Sequence, residues 1–598
     1  MENKKLKGLA RFRYIFFLLR PYWNYGKVYV VVTIVMAMVL QPLSAYLATM
    51  LPQRAIDALM SGAPRNDILF TIMLYTLGVA LVTMVQMVFE RAYSRLAQMR
   101  IDLRIKNDVN EKALFTDFKY YDNPDFFTRF IFAQEKFPQQ SLMAMRLFPE
   151  ILKAIMTVTA MGAIIAMAGP ALIGVTMVFI LLSAVLGFPT MKPQADLQMQ
   201  LTENWRPFEY VQRMLKQKEN AAELRSSGAG PKFLVKVNSV IERNHLTYRT
   251  FLKKTLPYFL AQGVVSPIQT ACVLAYVIFF VINGDTTKIG LYASLTVASA
   301  SMVSNLSDFG DIVGKLWQNT LFGERISAFF EAKSIIEPPR ENASAPPEGV
   351  FEIELRDVSF SYDKAMFGIE NLNLHIKPGQ RIAIVGENGA GKTTLTKLLL
   401  RLYDVNNGSV RINGRDIKEY DIHKLRLRIG VAFQDVRVLA MSLRDNLTVY
   451  NDLDDDQLLQ VIKKLGLEGV LKKAGNDLDK MVSREFTQDG IALSGGEAQR
   501  LTLARLFTGS FGVLVLDEPS SALDPLAEYQ LMQTILDASN NATTIMIAHR
   551  LSTVRDFDII HHMDNGHIIE SGSHEELMSA QGKYYEMFVR QAEKYQSL

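Results

Sequence analysis

The sequence predicts a membrane α-helical bundle of six transmembrane helices fused to a soluble α/β domain. Three observations lead to this fold class. The first 307 residues contain five long stretches without one charged side chain, although 21% of the whole chain is charged. After a Pro- and Ala-rich segment at 338–349, short β-branched runs alternate with helical segments. One of these runs leads directly into a glycine-rich loop, as in many phosphate-binding domains.

The uncharged stretches supply the expected transmembrane helices. They cover residues 28–53, 68–89, 154–191, 255–284 and 289–307. A bilayer core about 30 Å thick needs about 20 apolar residues in a helix, so four stretches fit one span each and the longest fits two. The expected spans are about 28–50, 68–89, 147–168, 171–190, 257–282 and 289–312. The membrane domain is therefore expected at 1–337, the linker at 338–349 and the soluble domain at 350–598.

The distribution of Lys and Arg predicts the orientation. Residues 1–27 carry seven of these side chains, 90–153 carry eleven and 192–254 carry twelve. The connections on the opposite side carry only Arg54, Arg65 and Lys288. Because positive charge concentrates on the cytoplasmic side of a membrane protein, we expect a multi-pass protein of the cytoplasmic membrane. The N-terminus, both long loops and the soluble domain are then in the cytosol.

Composition excludes several other classes. Long apolar stretches exclude a purely soluble enzyme, a collagen-like repeat and a disordered chain. The net charge is only +4, with no extended basic block, so we expect no nucleic acid partner. The single Cys272 forms no intrachain disulfide, and no Cys/His cluster indicates a structural zinc site.

A phosphate-binding loop follows the predicted strand at 382–385. The loop matches the pattern G-x-x-x-x-G-K-[ST] in a strand-to-helix context. Its residues are Gly386, Glu387, Asn388, Gly389, Ala390, Gly391, Lys392 and Thr393, followed by Thr394. Glycines let successive backbone N–H groups face phosphate oxygens, Lys392 contacts the β- and γ-phosphates, and Thr393 binds Mg²⁺.

A second predicted strand, at 513–516, ends in two carboxylates. Asp517 is expected as a Mg²⁺ ligand, directly or through water. Glu518 is then placed to orient or deprotonate the attacking water. An apolar strand that ends in Asp-Glu is common in isolation, but it is informative here because it follows the phosphate-binding loop by about 125 residues.

The segment from Leu493 to Arg500 resembles the signature motif of ATP-binding cassette (ABC) proteins, with the sequence Leu-Ser-Gly-Gly-Glu-Ala-Gln-Arg. The resemblance covers the whole chain, whose layout is similar to an ABC half-transporter and most like bacterial multidrug or antimicrobial-peptide exporters. It implies six helices of exporter type fused to an α/β P-loop ATP-binding cassette, with ATP and Mg²⁺ as cofactors. Residues 436–441 and 487–490 depart from the family's usual sequences.

The resemblance also implies individual roles. Tyr362 matches the aromatic side chain that stacks on adenine. Gln434 matches the loop glutamine that senses Mg²⁺ and contacts the membrane domain, and it is counted with Glu518 among the catalytic residues. His549 matches the histidine that contacts the γ-phosphate and positions Glu518, and Asp524 belongs to the loop that crosses the cassette interface. The signature residues contact phosphates held by Lys392 of a second subunit; they are Ser494, Gly495 and Gly496.

These roles require a dimer. A homodimer is favoured because this one sequence keeps all the expected groups, and an intact half of a heterodimer is the alternative. In such a dimer, contacts near residues 118–126 and 219–228 of the cytosolic loops are expected to transmit cassette closure. The resemblance implies ATP-driven export of an amphipathic compound or peptide by alternating access. An ATP-hydrolysing regulator without net flux and an importer on the same fold are alternatives.

Two acids near the end of the sixth span are candidates for a cargo path. Asp308 and Asp311 lie one helical turn apart, and a dimer would bring four carboxylates toward its axis, which favours a cationic cargo. In the alternative interpretation, Asp308 already lies at the cytosolic boundary, where a charge costs little. Membrane lipid is an expected partner in either case.

Overall fold

The computed structural model describes residues 12–596, apart from 167–169, 217, 283–288, 335, 337–343, 363–367, 435–436, 520–524 and 539–541. The chain forms two compact units. The helical unit contains Met1–Thr116 and Asn123–Ala332, and the α/β unit contains Asp117–Asp122 and Lys333–Leu598. A short segment from the first long loop therefore belongs to the α/β unit.

The helical unit consists of long helices joined by short connections. They are α1 (Arg13–Tyr25), α2 (Lys27–Val35), α3 (Gln41–Met60), α4 (Arg65–Val88), α5 (Arg95–Leu114), α6 (Pro124–Ala166), α7 (Pro170–Lys216), α8 (Lys218–Ser226), α9 (Ala229–Ile282) and α10 (Ile289–Phe330). Two π-helical segments interrupt this pattern. Met36–Leu40 joins α2 to α3, and Phe89–Ser94 joins α4 to α5.

Within the described residues, five helices have the length and apolar composition to cross a membrane. They are Lys27–Met60, Arg65–Leu114, Pro124–Ala166, Leu172–Leu201 and Ala229–Phe279, with a shorter apolar helix at Ile289–Met302. Helix α9 has 54 residues and is about 80 Å long at about 1.5 Å per residue. It therefore extends well beyond a bilayer core, as the mixed charge of the long loops predicts.

The interior of the helical unit is formed by side chains from several helices. Its most buried apolar residues are Met50, Met161, Ile164, Ile165, Leu172, Val273, Tyr292, Leu295 and Ala298. At Gly290 an added Cβ would lie 2.6 Å from the Gln53 carbonyl oxygen, so α10 approaches α3 too closely for any residue but glycine at this position. Many apolar side chains of α4 and α7 remain exposed on the outer surface, as expected for helices that face lipid.

The α/β unit contains two sheets. The strands are β1 (Ile353–Phe360), β2 (Ile369–Ile376), β3 (Arg381–Val385), β4 (Asn407–Ile412), β5 (Arg415–Asp416), β6 (Ile429–Ala432), β7 (Val513–Asp517), β8 (Thr543–Ile547), β9 (Ile559–Asp564) and β10 (His567–Gly572). The order is β2-β1-β4-β5 in the four-stranded antiparallel sheet and β10-β9-β3-β8-β7-β6 in the larger one. Strands β7 and β8 are buried along their whole length, which explains their continuous apolar sequences.

Helices of the α/β unit follow or connect these strands. They are α11 (Lys392–Leu399), α12 (Ile422–Leu427), α13 (Leu443–Leu447), α14 (Asp455–Lys464), α15 (Glu468–Lys473), α16 (Gly495–Ala504), α17 (Pro525–Ala538), α18 (His574–Ala580) and α19 (Lys583–Gln596). Single turns of 3₁₀ helix lie at Phe118–Tyr120, Ile417–Glu419, Arg505–Phe507 and Leu551–Thr553.

The α/β unit begins at Lys333, before the segment that the sequence marks as a linker. The reason is a carboxylate from the first long loop. Asp117 accepts a hydrogen bond from the Ser334 hydroxyl at 2.8 Å and from the Ile336 backbone N–H at 3.0 Å. These two bonds tie the segment Asp117–Asp122 to the chain that enters the α/β unit.

Strand order brings distant parts of the sequence to one edge of the larger sheet. Strands β3, β8 and β7 are neighbours and run parallel. Their carboxyl ends therefore lie together, and the loops that follow them meet there. The phosphate-binding loop follows β3, the Asp517-Glu518 pair ends β7, and His549 follows β8.

Candidate nucleotide site

The phosphate-binding loop has a backbone that requires glycine. Gly391 has φ +104°, a left-handed conformation that places the N-terminus of α11 directly behind the loop. An added Cβ at Gly386 would lie 2.1 Å from the Met563 carbonyl oxygen, so any side chain there would displace β9. The loop therefore presents backbone N–H groups and a helix N-terminus, which together favour an anion.

Lys392 is buried, with 6% of its surface exposed, and its ammonium lies inside the loop. The Nζ atom donates hydrogen bonds to the carbonyl oxygens of Gly386 at 2.8 Å and Glu387 at 2.9 Å. Burial lowers the pKa of Lys392, and the nearby carboxylates of Glu518 and Asp517 oppose that shift. The cation is thus oriented toward the interior of the loop.

Asp517 is the buried carboxylate of the site and is 2% exposed. Burial, followed by the charge of Glu518, raises its pKa to about 6, while a hydrogen bond from Thr393 and the charge of Lys392 act in the opposite direction. Its Oδ1 atom has no hydrogen-bond partner among the residues that the structure describes. An unpartnered buried carboxylate oxygen beside a hydroxyl group is a suitable environment for a hard cation.

The donor set fits Mg²⁺ bound together with a nucleotide. Thr393 and Asp517 offer oxygen ligands, and Mg²⁺ commonly binds through one or two such side chains and the phosphates of its nucleotide. Among the described residues, no group of three or more His, Cys, Asp or Glu side chains is arranged to hold a metal ion. A cation at this position would therefore depend on phosphate oxygens for part of its coordination.

Glu518 is held on both carboxylate oxygens. Gln434 Nε2 donates a hydrogen bond to Oε2 at 2.9 Å, and His549 Nε2 lies 2.5 Å from Oε1. Burial lowers the pKa of His549, with Lys392 acting in the same direction and Glu518 opposing it. The three residues that the sequence predicts to be catalytic therefore meet in one hydrogen-bonded group.

The backbone of Glu518 adopts an unusual conformation. Its φ is +48°, in the left-handed region that non-glycine residues seldom occupy. The Glu518 N–H donates to the Ile547 carbonyl oxygen at 3.0 Å, which fixes this conformation at the end of β7. Such a strained backbone is common at functional sites, where the surrounding structure holds it in place.

Tyr362 lies beside the first turns of α11. Its hydroxyl is 3.2 Å from the Thr394 Oγ1 atom, and its ring packs edge-on against Phe360 and Tyr403. The Lys397 ammonium lies 5.2 Å from the centre of the Tyr362 ring. The aromatic side chain is thus fixed next to the phosphate-binding helix, at the place where a base attached to bound phosphates is expected.

The signature residues begin helix α16. Ser494 caps this helix, since its Oγ accepts from the Glu497 N–H at 3.3 Å while Glu497 Oε2 accepts from the Ser494 N–H at 2.8 Å. An added Cβ at Gly495 would have no atom within 4 Å. In the described part of the α/β unit, no hydrogen bond or ion pair joins Ser494, Gly495 or Gly496 to the phosphate-binding loop. The helix start is thus open to a ligand from outside.

Three predicted residues are outside the described structure. Asp524 lies in the segment 520–524, and the side chains of Asp308 and Asp311 are not described although their backbone continues α10. Their predicted roles at the cassette interface and on the cargo path therefore stay predictions.

Sequence reasoning missed a clamp on His549. Gln591, on α19, donates through Nε2 to the His549 carbonyl oxygen at 2.7 Å, and its Oε1 accepts from the Leu551 N–H at 3.0 Å. In addition, Arg550 forms an ion pair with the buried Glu528 of α17. No local pattern marks Gln591, because it is an ordinary polar residue in an amphipathic helix.

Sequence reasoning also missed the contacts of the loop segment Asp117–Asp122. The Tyr403 hydroxyl donates to the Asp122 carboxylate, and burial, followed by this bond, raises the pKa of Tyr403. The Phe118 ring packs edge-on against Tyr403, with ring centres 6.0 Å apart. Lys397 lies over the rings of Phe118, Tyr362 and Tyr403 at 5.6, 5.2 and 5.9 Å. One cation therefore contacts both the loop segment and the predicted adenine-stacking residue.

Comparison with known proteins identifies the class. Residues 369–521 match the family described as "ABC transporter". The β-(1→2)glucan export ATP-binding/permease protein NdvA of Bartonella bacilliformis is 32% identical over 328 residues, which are 54% of each chain. The ATP-dependent lipid A-core flippase of Alcanivorax borkumensis is 29% identical over 355 residues, or 58% of this chain and 60% of that one.

A third relative and a solved structure extend the comparison. The mitochondrial iron-sulfur clusters transporter ATM1 of Saccharomyces cerevisiae is 38% identical over 252 residues, 41% of this chain and 36% of that one. The structure of a bacterial Atm1-family ABC exporter with ATP bound has a TM-score of 0.78 at 22% identity, covering 95% of this chain and 98% of that one. At this identity the structural likeness establishes the fold.

The chain therefore carries an ABC transporter domain, which implies ATP binding, and it is homologous to ABC exporters. Its fold is that of an exporter-type half-transporter, with apolar helices suited to a membrane. The predicted resemblance to ABC exporters and the predicted fold class are confirmed. The matches to the glucan exporter and the flippase cover 54% and 60% of those proteins, and about half the length of such relatives is thus represented here.

Proposed function

We propose that two copies of this chain form an ATP-driven exporter in the cytoplasmic membrane. The observation that carries the proposal is the position of Glu518, whose carboxylate is held by His549 and Gln434 at the sheet edge that also bears the Lys392 loop. A base fixed beside a phosphate-binding loop is suited to phosphoryl transfer to water.

Nucleotide binding uses groups that are already oriented. The loop N–H groups and the Lys392 ammonium bind the phosphates, with Lys392 exchanging its two loop carbonyls for phosphate oxygens. The Tyr362 ring supports the adenine. Thr393 and Asp517, with Gln434 nearby, would hold Mg²⁺, which would supply positive charge to neutralise the phosphates.

Hydrolysis uses the hydrogen-bonded group around Glu518. The lowered pKa of His549 keeps its imidazole neutral near pH 7, so that one ring nitrogen donates and the other accepts. With Nε2 as donor, His549 orients the Glu518 carboxylate, which accepts a proton from the attacking water. Gln434 holds the second oxygen and so prevents rotation of the carboxylate.

A second subunit completes the site in this proposal. The start of α16 has an open face at Gly495, and a helix N-terminus with Ser494, Gly495 and Gly496 offers N–H groups to phosphates on a facing subunit. Because one chain retains both halves of the site, a homodimer is sufficient for two competent sites. A heterodimer with a related partner would use the same contacts.

Closure of the dimer is proposed to reach the membrane through the long loops. Support comes from Asp117–Asp122, which belongs to the α/β unit although the chain on both sides of it belongs to the helical unit. The segment around 219–228, where α8 ends at Ser226, is proposed as the second contact. The positive-inside distribution places both loops in the cytosol.

The cargo class is proposed as an amphipathic compound or peptide. Relatives carry different cargoes by name, since one exports β-(1→2)glucan, one flips lipid A-core and one transports iron-sulfur clusters. The first of these names states export, and the other two are compatible with export. The acids Asp308 and Asp311 remain candidates for contact with a cationic group.

The proposal is tested by ATP turnover of the purified protein in lipid, with Glu518→Gln as the catalytic variant and the exposed Glu575→Gln as a matched control. We expect loss of turnover in Glu518→Gln with ATP binding retained, and wild-type turnover in the control. Turnover near the wild-type level in Glu518→Gln would contradict the role of the base. Vectorial flux in vesicles then separates an exporter from an importer and from a regulator without flux.

A further inference from the structure

A cavity of about 580 Å³ lies in the helical unit, between the π-helical segments and the middle of α6, just before the apolar stretch of that helix. Its volume is in the range of small-molecule sites, about 300 to 1,000 Å³. Sixteen residues line it, and they come from α2, α3, α4, α5, α6 and both π-helical segments. All of them belong to the described part of the helical unit.

The cavity has an excess of positive charge. Its cations are Arg91, Arg95, Arg146 and Lys153, and its carboxylates are Glu90 and Glu150. Glu150 lies 4.0 Å from Lys315 of α10 and is therefore paired with a fifth cation, which does not line the cavity. Within the described residues, none of the four lining cations forms an ion pair with a carboxylate. Arg146 donates to the Gln98 Oε1 atom at 3.4 Å. An anion that enters the cavity would therefore meet several cations that no described carboxylate neutralises.

Three polar side chains that line the cavity are hydrogen-bonded to one another. Gln98 Nε2 donates to the Tyr29 hydroxyl and to the Ser94 Oγ, both at 2.8 Å, and the Tyr29 and Ser94 oxygens are 3.2 Å apart. Gln86 also lines the cavity, and its Nε2 atom is buried without a hydrogen-bond partner in the described structure. A buried amide donor without a partner needs an acceptor, which an oxyanion supplies.

Both irregular helical segments border this cavity. Met36 and Ala37 come from Met36–Leu40, and Phe89 and Ser94 come from Phe89–Ser94. Single π-helical turns occur frequently at functional sites, because the extra residue changes the direction of neighbouring side chains. In the membrane, such irregular backbone is tolerated where it lines a cavity. Two independent interruptions at one cavity indicate a built site.

The apolar surroundings favour an amphiphile over a free anion. The cavity lies where the uncharged stretch 68–89 ends and the one at 154–191 begins, which is the level of lipid headgroups at the inner membrane surface. Residues next to the lining ones are exposed and apolar, with 51% of Val35, 54% of Val39 and 56% of Val88 accessible. These side chains provide contact for hydrocarbon tails beside a charged headgroup.

We propose that this cavity binds the headgroup of a phosphate-bearing anionic amphiphile from the inner leaflet. Three arginines and a lysine suit a phosphate, since guanidinium groups bind phosphate oxygens in pairs. Gln86 contributes a further donor, and the valines of α2, α4 and the first π-helical segment contact the tails. The site does not depend on ATP, so its test is separate from that of the proposed transport.

The test is equilibrium binding of tail-labelled phosphatidate, compared with equally labelled phosphatidylcholine, to the purified full-length protein in phosphatidylcholine nanodiscs. The variant is Arg91→Gln with Arg95→Gln, and the matched control is Arg100→Gln with Arg104→Gln, which removes two exposed cations of α5 that do not line the cavity. Lys153→Gln, on α6, is a second variant in case the first does not fold.

We expect the wild-type protein to bind phosphatidate more tightly than phosphatidylcholine. The double variant should bind phosphatidate with an affinity lower by a factor of about ten or more. Equal binding of the two lipids, or an equal loss in the Arg100 and Arg104 control, would overturn the proposal. Millimolar inorganic phosphate carries the anion without the tails and should leave the lipid bound. Full displacement by phosphate would show a simple anion site and would also overturn the proposal.

Discussion

The clamp formed by Gln591 leads to a quantitative prediction for catalysis. Gln591→Met keeps the length and much of the volume of the side chain but removes both hydrogen bonds to the chain around His549. Each neutral hydrogen bond contributes about 1 kcal/mol, so the loop that bears His549 loses about 2 kcal/mol of restraint. If the whole amount is expressed in the position of His549 beside Glu518, kcat falls by about 30-fold, since about 1.4 kcal/mol corresponds to a factor of ten.

The expected result is a fall in kcat of about tenfold, with this limit as the maximum, because part of the 2 kcal/mol lowers the stability of α19 instead. KM for ATP should change little, since Gln591 contacts only the backbone of His549 and Leu551 and no residue of the phosphate-binding loop. Steady-state ATP turnover and thermal melting of the purified protein measure the two effects. Arg590→Met, at an exposed position one residue earlier on the same helix, is the control.

An unchanged kcat in Gln591→Met, with melting lowered, would show that α19 stabilises the α/β unit without positioning His549. Equal losses in Gln591→Met and Arg590→Met would show that the effect comes from the helix surface and not from the clamp. Either result would refute the reasoning from the two hydrogen bonds.

Two further predictions concern the phosphate-binding loop and Asp517. Gly386→Ala should abolish ATP binding in a nucleotide-binding assay, because its Cβ would lie 2.1 Å from the Met563 carbonyl oxygen. The control Gly379→Ala also has a left-handed φ but open space around its Cβ, so it should cost about 1 kcal/mol of stability and leave ATP binding intact. Equal effects of the two variants on ATP binding would contradict the close approach at Gly386. The pKa of Asp517 is raised to about 6, above its ordinary value. Between about pH 4 and 6 the folded state therefore binds a proton that the unfolded state has released, and the contribution of this carboxyl group to stability falls as the pH rises through that interval. Mg²⁺-dependent ATP binding should rise over the upper part of that interval as the carboxylate ionises, and Asp517→Asn should remove this pH dependence; a profile unaltered in Asp517→Asn would contradict the assignment.

Much of the nucleotide site was predictable because its chemistry is encoded locally. The loop from Gly386 to Thr393 needs glycine at fixed positions and a lysine and hydroxyl at its end, and these requirements are satisfied by consecutive residues. The strand that ends in Asp517 and Glu518 has the same local character. Charge-free stretches of about 20 residues likewise predict apolar helices without knowledge of their packing.

The remaining features depend on contacts between distant residues. Gln434 and Glu518 are 84 positions apart, and only the parallel pairing of β6 with β7 places the loops that follow these strands at one sheet edge. Gln591 contacts His549 because α19 packs against the rest of the α/β unit. Asp122 contacts Tyr403, from which it is separated by 281 positions in the sequence. Polar residues of this kind carry no pattern of their own, since a hydrogen bond is specified by geometry and not by spacing in the sequence.

The membrane half shows the same division between sequence and tertiary structure. The sequence alone determined where apolar helices occur and on which side the basic residues concentrate, because both follow from the transfer of side chains between water and lipid. Only the tertiary structure decided that two π-helical turns and four cations, none in an ion pair with a described carboxylate, face one cavity. That arrangement arises from the packing of α2, α4, α5 and α6 against one another, and packing is a property of surfaces that the chain brings together only when it folds.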